Sequence, residues 1–262
     1  MSFPFRVAAI EAIADEAAAL ARSAAAAPLH VVEKDDRSPV TAVDRAVDAF
    51  LKRELTRLLP KSAWLSEETE DDRSRLAAEF VWIVDPIDGT KQLVSGIPEV
   101  AISVGLVVRG RAVAAAIVNP MTGERGSWVE GELPVFHGLA ARPEPATLDT
   151  AAAIVSRSET EEGALAGLSG VVGSTRAVGS VAYKLLRVAA GADALTFSVR
   201  PKSEWDVCAG VGLLLAAGRV YLRLDGALTV FNQPDTRIPS GAVAGPASLA
   251  IPLRARLNAL RP

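Results

Sequence analysis

The sequence predicts an α+β protein, and three of its features lead to that prediction. Apolar residues recur at steps of three and four over residues 6–27 and again over 41–59, which is the period of an amphipathic helix. Two β-rich runs, 101–108 and 112–118, are typical of buried strands. Helical and strand patterns are mixed along the chain without a fixed repeat, which excludes solenoids and propellers.

The first half of the chain begins with the two helices. In the first helix many positions are alanine, which favours helix formation and close packing against a second helix. The second helix begins near Thr41, after the entry turn Ser38-Pro39, and Pro60 ends it.

The strands of this half end in short polar segments. The apolar run 80–84 predicts a strand that stops at Asp85-Pro86. Arg109-Gly110-Arg111 separates the two β-rich runs and predicts a hairpin turn. Trp64-Leu65 predicts another buried strand, which ends at Glu67-Glu68. Two of the predicted strand ends therefore carry carboxylates.

The second half of the chain begins with an irregular stretch. Residues 130–148 contain three prolines and predict a junction between two subdomains, 1–145 and 146–262. Beyond the junction the patterns predict, in order, a strand at 152–155, a helix at 181–190, a strand at 194–198 and a helix at 206–217.

The composition predicts a folded protein that could take a small ligand. Hydrophobic residues make up 50% of the chain and charged residues 23%, which excludes disorder because enough apolar surface is available for burial. The 28 basic and 31 acidic residues give a net charge of −3, which argues against a nucleic-acid polymer as partner. A few local cations would still suffice for a small phosphorylated molecule.

We expect a cytoplasmic protein. Acidic residues interrupt the alanine-rich N-terminal stretch, unlike in a signal peptide, and no apolar run predicts a membrane span. The single cysteine, Cys208, cannot form an internal disulfide and is interpreted as a packing residue. His30 and His137 are too far apart in the sequence to indicate a His/Cys zinc site.

The segment Asp85-Pro86-Ile87-Asp88-Gly89-Thr90 is the most informative for chemistry. A buried strand delivers Asp85 to its carboxyl end, and Asp88 follows three residues later. Gly89 lets the backbone approach a ligand closely. Two carboxylates this close repel each other unless a cation lies between them, and Mg²⁺ prefers such oxygen ligands. Since an Asx-type turn with two solvated acids has the same pattern, further acidic positions are needed to indicate a metal site.

Three other acidic positions supply them. Glu67-Glu68 follows a predicted strand, and Asp44 lies in the first turn of the second helix. Asp206 follows Trp205 at the start of a predicted helix, where a carboxylate also interacts favourably with the helix dipole. Each has an ordinary explanation, as a solvated pair, a surface acid or a helix cap, but together they form the pattern of a family.

In this combination the sequence resembles the inositol monophosphatase superfamily of Mg²⁺-dependent, lithium-sensitive phosphatases. Three blocks carry the resemblance, in the order of the family: Ser66-Glu67-Glu68, then Asp85 to Thr90, then Trp205-Asp206 followed by small residues and an apolar helix. The resemblance implies the layered α-β-α-β-α sandwich of the sugar phosphatases. It also implies hydrolysis of a phosphomonoester, and it allows a homodimer.

The resemblance implies two to three Mg²⁺ ions and assigns their ligands. Glu67, Asp85 and the carbonyl of Ile87 would hold the first ion. Asp85, Asp88 and Asp206 would hold the second, so that Asp85 bridges the two. One ion would activate a water molecule and the other would neutralise the leaving oxygen.

The resemblance also assigns the groups around the attacking water and the phosphate. Asp44 would position a third, weaker ion together with Glu67. Thr90, paired with Asp44, would orient and deprotonate the water. The N–H groups of Gly89 and Thr90 would hold the phosphate oxygens.

Local features favour the 3′(2′),5′-bisphosphate nucleotidase branch of the superfamily. The segments that resemble this branch are Glu33 to Thr41, Lys91 after Thr90, Val155-Ser156-Arg157-Ser158, and Gly179-Ser180 with Lys184. Lys91, Arg157, Ser180 and Lys184 are therefore predicted substrate contacts. The predicted reaction removes the 3′-phosphate of adenosine 3′,5′-bisphosphate and gives AMP.

The sequence departs from this branch at three places. Glu159 stands where a histidine is common, and Leu93 stands where an aromatic residue is usual. Ile97-Pro98-Glu99 partly resembles the corresponding loop of the inositol phosphatases. An inositol monophosphatase or a fructose 1,6-bisphosphatase is therefore an alternative with the same metal chemistry. An inactive regulatory protein on the same fold is a further alternative, although every expected carboxylate and Thr90 are present.

Overall fold

The structure, a computed structural model, describes residues 3–26, 31–33 and 39–260. Ser38 of the predicted entry turn, His30 and residues 34–38 of the segment from Glu33 to Thr41 lie outside the described residues. Among the described residues, no helix is long and apolar enough to cross a membrane.

The predicted helices at 6–27, 41–59, 181–190 and 206–217 are present with ends shifted by one or two residues. The helices are α1 Val7–Ala25, α2 Ala42–Leu58, α3 Thr90–Val94, α4 Arg157–Glu161, α5 Val181–Ala189, α6 Glu204–Ala216 and α7 Ala247–Ala259, with 3-10 helices at Ser74–Ala77 and Leu148–Thr150.

Most strands belong to two large sheets. The strands are β1 Val31–Glu33, β2 Pro39–Thr41, β3 Ala63–Ser66, β4 Phe80–Asp88, β5 Ala101–Val108, β6 Arg111–Val118, β7 Arg125–Val129, β8 Val135–His137, β9 Ala152–Ser156, β10 Ser174–Val178, β11 Leu195–Ser198, β12 Lys202–Ser203, β13 Val220–Arg223, β14 Arg237–Ile238 and β15 Ala242–Gly245. One sheet has six strands in the order β3-β4-β5-β6-β7-β8, and the other has five in the order β10-β9-β11-β15-β13. The pairs β1-β2 and β12-β14 form two short ribbons.

The elements stack in five layers, α-β-α-β-α, which confirms the fold that the family resemblance implies. Helices α1 and α2 cover one face of the six-stranded sheet, and α5 and α6 cover its other face. The five-stranded sheet packs on the far side of α5 and α6, and α7 covers its outer face. Because α5 and α6 lie between both sheets, the subdomain boundary near residue 145 stays a prediction.

Strand β4 is held firmly because it is buried on both faces. Trp82 and Val84 pack toward α1 and α2, whereas Val81 and Ile83 pack toward α5 and α6. Burial of each such side chain contributes about 1.5–3 kcal/mol. The acidic segment at the end of β4 is therefore presented by one of the best-anchored strands of the protein.

The prediction that this strand stops at Asp85-Pro86 is wrong, because pairing with β5 resumes at Asp88. Asp85 pairs with Ser103 and Asp88 pairs with Ala101, so β4 advances three residues where β5 advances two. The extra residue is a bulge, which fits a proline that cannot donate to the ladder. In a regular strand residues three apart point to opposite faces, so the bulge re-aims one carboxylate relative to the other.

Two further differences from the prediction concern the stretch 130–148 and helix α7. The stretch 130–148 is not wholly irregular, since it contains the edge strand β8. Helix α7 has no counterpart in the sequence prediction because its prolines indicate breaks. Pro246 precedes the helix as its cap, and Pro252 is tolerated inside it because buried leucines hold the helix on the sheet.

Candidate metal centre and active site

Three carboxylates meet at one point between the six-stranded sheet and α6. Glu67 follows β3, Asp85 lies in β4 and Asp206 lies in the first turn of α6. One carboxylate oxygen of each lies within 4.8 Å of the others. The parallel pairing of β3 and β4 explains why the first two meet, because the carboxyl ends of parallel strands share one edge of the sheet.

Asp85 is the most deeply buried member of this carboxylate cluster, with 1% of its surface exposed. Its Oδ1 accepts a hydrogen bond from the amide of Ile87 at 3.1 Å. Its Oδ2 is buried and has no hydrogen-bond partner among the described residues. Burial and then the charges of Glu67 and Asp88 raise the pKa of Asp85 well above its ordinary value. Such an oxygen is stabilised if a cation binds there.

Asp206 is held by the start of its own helix. Its Oδ2 accepts a hydrogen bond from the amide of Ser203 at 2.7 Å, as part of a capping box at the start of α6. Burial and the charge of Asp88 raise the pKa of Asp206 to about 7. The hydrogen bond from Ser203 orients the carboxylate, and a bound cation would remove the unfavourable free energy of its buried negative charge. Both properties are those of a metal ligand.

The donor set of the carboxylate cluster fits Mg²⁺. All three side chains offer hard oxygen atoms, and a divalent ion would remove the repulsion among them. Glu67, Asp85 and Asp206 would hold the ion. When bound, it would lower the pKa of a water molecule and polarise a phosphoryl group.

Asp44 and Thr90 form the contact that the sequence predicts. The Thr90 hydroxyl donates to Asp44 Oδ1 at 2.8 Å and lies 3.0 Å from the carbonyl oxygen of Ile87. Asp44 Oδ2 accepts from the amide and the hydroxyl of Thr41 at 2.9 and 2.5 Å. Asp44 is 1% exposed, so both of its oxygens are oriented by neighbours inside the protein.

Asp88 lies beside the carboxylate cluster but is not one of its three members. Its Oδ2 accepts hydrogen bonds from the Ser180 hydroxyl and from the amide of Ala182, both at 2.6 Å. Burial raises the pKa of Asp88, and these two hydrogen bonds oppose the rise. Its role as a ligand of the second ion stays a prediction, in which Oδ1 is the oxygen left for the ion.

Gly89 is required by the backbone at the turn. Its φ of +97° is strained for other residues, and a Cβ there would lie 3.0 Å from the carbonyl oxygen of Glu99. The predicted contact of the Gly89 and Thr90 amides with a phosphate stays a prediction.

Three of the predicted substrate contacts, Lys91, Arg157 and Lys184, do not line the cavity beside the carboxylates, and their contact with a substrate stays a prediction. Lys91 is exposed and does not line the cavity beside the carboxylates. Arg157 pairs with Glu99, its Nη2 lying 3.0 and 2.8 Å from the two carboxylate oxygens. Lys184 is 3% exposed and donates to backbone carbonyls. Ser180 does line the cavity.

Two cations that line the cavity are missing from the sequence prediction. The cavity measures about 310 Å³ and lies between Asp88, Asp206 and the segment that carries Arg200 and Lys202. A signal was available, because Arg200-Pro201-Lys202 lies two residues before the block Trp205-Asp206, which the family resemblance places at the metal. Most lysine and arginine residues are exposed to solvent, so the sequence alone does not distinguish Arg200 and Lys202 from surface residues.

Comparison with known proteins identifies the family. Residues 3–256 match the inositol monophosphatase family. Inositol monophosphatase 2 of Solanum lycopersicum is 29% identical over 209 residues, covering 75% of this chain and 79% of the relative. The 3′-phosphoadenosine 5′-phosphate phosphatase of Mycobacterium tuberculosis is 32% identical over 204 residues, covering 76% and 74%. The solved structure of extragenic suppressor protein suhB from Bartonella henselae has a TM-score of 0.79 at 25% identity, covering 95% of this chain and 96% of that one.

The chain therefore belongs to the inositol monophosphatase family. It is a metal-dependent phosphomonoesterase of that family, and its substrate is a small phosphorylated molecule. The family is generally Mg²⁺-dependent, in agreement with the oxygen donors of the carboxylate cluster. The relatives are named for different substrates at similar identity, so they do not select a branch. The homodimer and the cytoplasmic location stay predictions.

Proposed function

We propose that the protein removes the 3′-phosphate of adenosine 3′,5′-bisphosphate and gives AMP. The observation that carries the proposal is the pair of cations, Arg200 and Lys202, on the wall of the cavity beside the carboxylate cluster. A bisphosphorylated substrate has a second phosphate remote from the one that is cleaved, and that phosphate needs a positive partner of its own.

The cavity is suited to a ligand that is larger than phosphate. Its volume of about 310 Å³ falls at the lower end of the range, about 300–1,000 Å³, that ligand pockets occupy. Asp88, Gly89 and Asp206 line one part of it, and Arg200, Pro201 and Lys202 line another. A substrate with its scissile phosphate at the carboxylates would extend toward the cations.

Lys202 forms an ion pair with the buried carboxylate of Glu159. Its ammonium donates to Glu159 Oε1 at 2.9 Å and, over longer distances of 3.4 and 3.3 Å, to the carbonyls of Arg200 and Pro201; its side chain is 14% exposed. Glu159 also accepts from the Ser198 hydroxyl at 2.5 Å and the amide of Val199 at 2.9 Å. Although burial raises the pKa of Glu159, Lys202 and these hydrogen bonds lower it below its ordinary value. If Lys202 moves toward a phosphate, Glu159 therefore keeps its hydrogen bonds to Ser198 and Val199. Glu159, which stands where the nucleotidase branch commonly has a histidine, would then orient Lys202 in the absence of substrate.

The pair Thr90 and Asp44 can orient the attacking water. A water that donates to the Thr90 oxygen is aligned by it, because the Thr90 proton points to Asp44 Oδ1 at 2.8 Å. Attack of the water oxygen on phosphorus would break the bond to the 3′ oxygen, which would keep the electron pair and take up a proton from solvent, while the water proton would pass through Thr90 to Asp44. Thr41 fixes the other oxygen of Asp44, so this proton path has one geometry.

An inositol or sugar phosphate is the second candidate, and one observation favours it. No aromatic ring lines the cavity in the part of the chain that the structure describes, so an adenine base would find no stacking surface there. Ser156, Ser158 and Gln92 line the cavity instead and could bind the hydroxyl groups of a sugar or an inositol.

The substitution Lys202→Met separates the two candidates. A charge-assisted hydrogen bond to phosphate contributes about 1.5–3 kcal/mol, which corresponds to a loss of about 10- to 150-fold in kcat/KM. We expect this loss for adenosine 3′,5′-bisphosphate and a change of less than about threefold for inositol 1-phosphate. Lys52→Met, on the exposed face of α2, is the matched control and should change neither. Equal losses for both substrates would contradict the nucleotide assignment.

A further inference from the structure

We propose that Lys184 and Arg157 are positioning residues for Asp88, which they serve by holding the loop 178–180 from two sides. Both are predicted substrate contacts, and in the structure each of them has partners inside the protein. The inference rests on the predicted role of Asp88 as an ion ligand, and it is independent of which phosphorylated molecule is the substrate.

The loop 178–180 is the support of Asp88. The Ser180 hydroxyl and the Ala182 amide both donate to Asp88 Oδ2 at 2.6 Å, which fixes one oxygen of the carboxylate. The Ser180 hydroxyl also accepts from the amide of Tyr183 at 2.9 Å, so it caps α5 at the same time. The position of Asp88 therefore depends on where this loop places Ser180.

Lys184 binds the backbone carbonyls of the loop. Its ammonium donates to the carbonyl of Val178 at 3.2 Å, to that of Ser180 at 2.9 Å, and to that of Gly179 between them. An ammonium group has three donors, so all of them are used on the loop. Its burial is unfavourable for a charged group and lowers its pKa to about 8. Three backbone carbonyls therefore converge on one buried ammonium group, and this arrangement fixes the backbone of the loop.

Glu99 binds the backbone amides of the loop, and Arg157 orients the Glu99 carboxylate. The Glu99 carbonyl accepts from the Ser180 amide at 3.1 Å, and Glu99 Oε2 accepts from the Gly179 amide at 2.8 Å. Arg157 Nη2 pairs with both oxygens of that carboxylate, at 3.0 and 2.8 Å. The approach is close, since a Cβ on Gly179 would lie 2.5 Å from Gln92 Cγ.

Loss of this support should weaken ion binding. Hydrogen-bonded groups behind a metal ligand are worth about 10- to 100-fold in metal affinity, because they hold the ligand in place. A pure charge effect has the opposite sign, since removal of a cation near the carboxylates favours a divalent ion. The direction of the change therefore separates positioning from electrostatics.

The experiment is a Mn²⁺ titration of the full-length protein without substrate, with free Mn²⁺ measured by electron paramagnetic resonance. The variants are Lys184→Met and Arg157→Gln. Arg187→Gln is the control, because Arg187 is a cation of the same helix that pairs with Glu124 and Asp193 and does not touch the loop. We expect one Mn²⁺ to bind about tenfold more weakly in Lys184→Met, about threefold more weakly in Arg157→Gln, and within twofold in the control.

An affinity that is unchanged or higher in both variants would overturn the proposal. If Lys184→Met does not fold, as shown by its thermal melting curve, Arg157→Gln decides alone, because this side chain is partly exposed and its loss leaves the loop on Lys184. The titration uses no substrate, so its failure leaves the nucleotide assignment untouched. A failure of the nucleotide assignment would likewise leave this result standing.

Discussion

The substitution Asp85→Asn has two effects of opposite sign that follow from the geometry of the carboxylate cluster. Without metal, at an assay pH high enough to ionise all three carboxylates, the variant should be more stable than the wild type, because it loses a buried negative charge beside two others. With Mg²⁺, it should gain little stability and lose nearly all turnover, because Asp85 is the oxygen donor shared by both predicted ions. A residue with only a structural role would not produce this combination.

The magnitudes follow from the separations. Two unit charges 4.8 Å apart, the upper limit within the cluster, repel by about 3 kcal/mol at an effective dielectric constant of about 20. Asp85 takes part in two of the three pairs, so its neutralisation relieves most of the repulsion. Mg²⁺ at about 100 times its dissociation constant stabilises a protein by about 2.7 kcal/mol, which raises Tm by roughly 5–10 °C in a chain of this size. A hundredfold weaker site leaves about 0.4 kcal/mol.

The assay is thermal unfolding of wild type and variant in EDTA and in saturating Mg²⁺, with phosphate release measured on the same samples. We expect a higher Tm for Asp85→Asn in EDTA, and a Mg²⁺-induced rise below about 2 °C. Asp72→Asn is the matched control, because Asp72 is exposed and its Oδ1 accepts from Ser74, a hydrogen bond that asparagine can keep.

The reasoning would be refuted by a variant that keeps the Mg²⁺-induced rise in Tm and turns over within about threefold of the wild type. A variant that melts lower in EDTA would contradict the electrostatic part alone, since Asp85 would then be stabilising without an ion.

Three further predictions concern the same site. Thr90→Val should lower kcat by about 10²–10⁴-fold with little change in KM, whereas Thr90→Ser, which keeps the hydroxyl toward Asp44, should retain most activity in the same kinetic assay. Li⁺ in the millimolar range should inhibit uncompetitively, because the predicted second site of Asp85, Asp88 and Asp206 offers only hard oxygens; complete insensitivity in steady-state kinetics would count against that site. In metal-free protein the pKa of Asp206 is raised from 3.8 to about 7, so stability should fall as pH rises from about 4 through 7; denaturant unfolding should show this fall in EDTA and not in saturating Mg²⁺.

The sequence predicts the carboxylates well because their chemistry is tied to local pattern. An apolar run followed by Asp85-Pro86, and a helix predicted to begin at Asp206, place both acids near the ends of elements, although β4 continues to Asp88 and α6 begins at Glu204. The meeting of Glu67 with Asp85 follows once β3 and β4 are parallel neighbours, and the packing of α6 on the sheet adds Asp206. The bulge at the end of β4 was not predictable from periodicity, because it depends on the pairing with β5.

The cations were harder to assign because a charge in a sequence carries no information on burial. Lys184 differs from a surface lysine only through the three carbonyls that the loop 178–180 turns toward it. Arg157 forms an ion pair with Glu99, which is 58 positions away in the sequence. Lys202, which faces the cavity, is separated from Glu159 by 43 positions. Each pairing is a product of tertiary structure, and composition could not distinguish the three residues.

The most direct test of the central assignment is a comparison of Mg²⁺-dependent phosphate release by the wild type from three substrates under one set of conditions. The substrates are adenosine 3′,5′-bisphosphate, inositol 1-phosphate and fructose 1,6-bisphosphate, each measured as kcat/KM with Mg²⁺ and with EDTA. We predict release that requires Mg²⁺ and is at least about tenfold more efficient for adenosine 3′,5′-bisphosphate than for inositol 1-phosphate, which has no second phosphate for Lys202 to bind. A higher kcat/KM for inositol 1-phosphate or fructose 1,6-bisphosphate would contradict the nucleotide assignment, and release that persists in EDTA would contradict the metal centre.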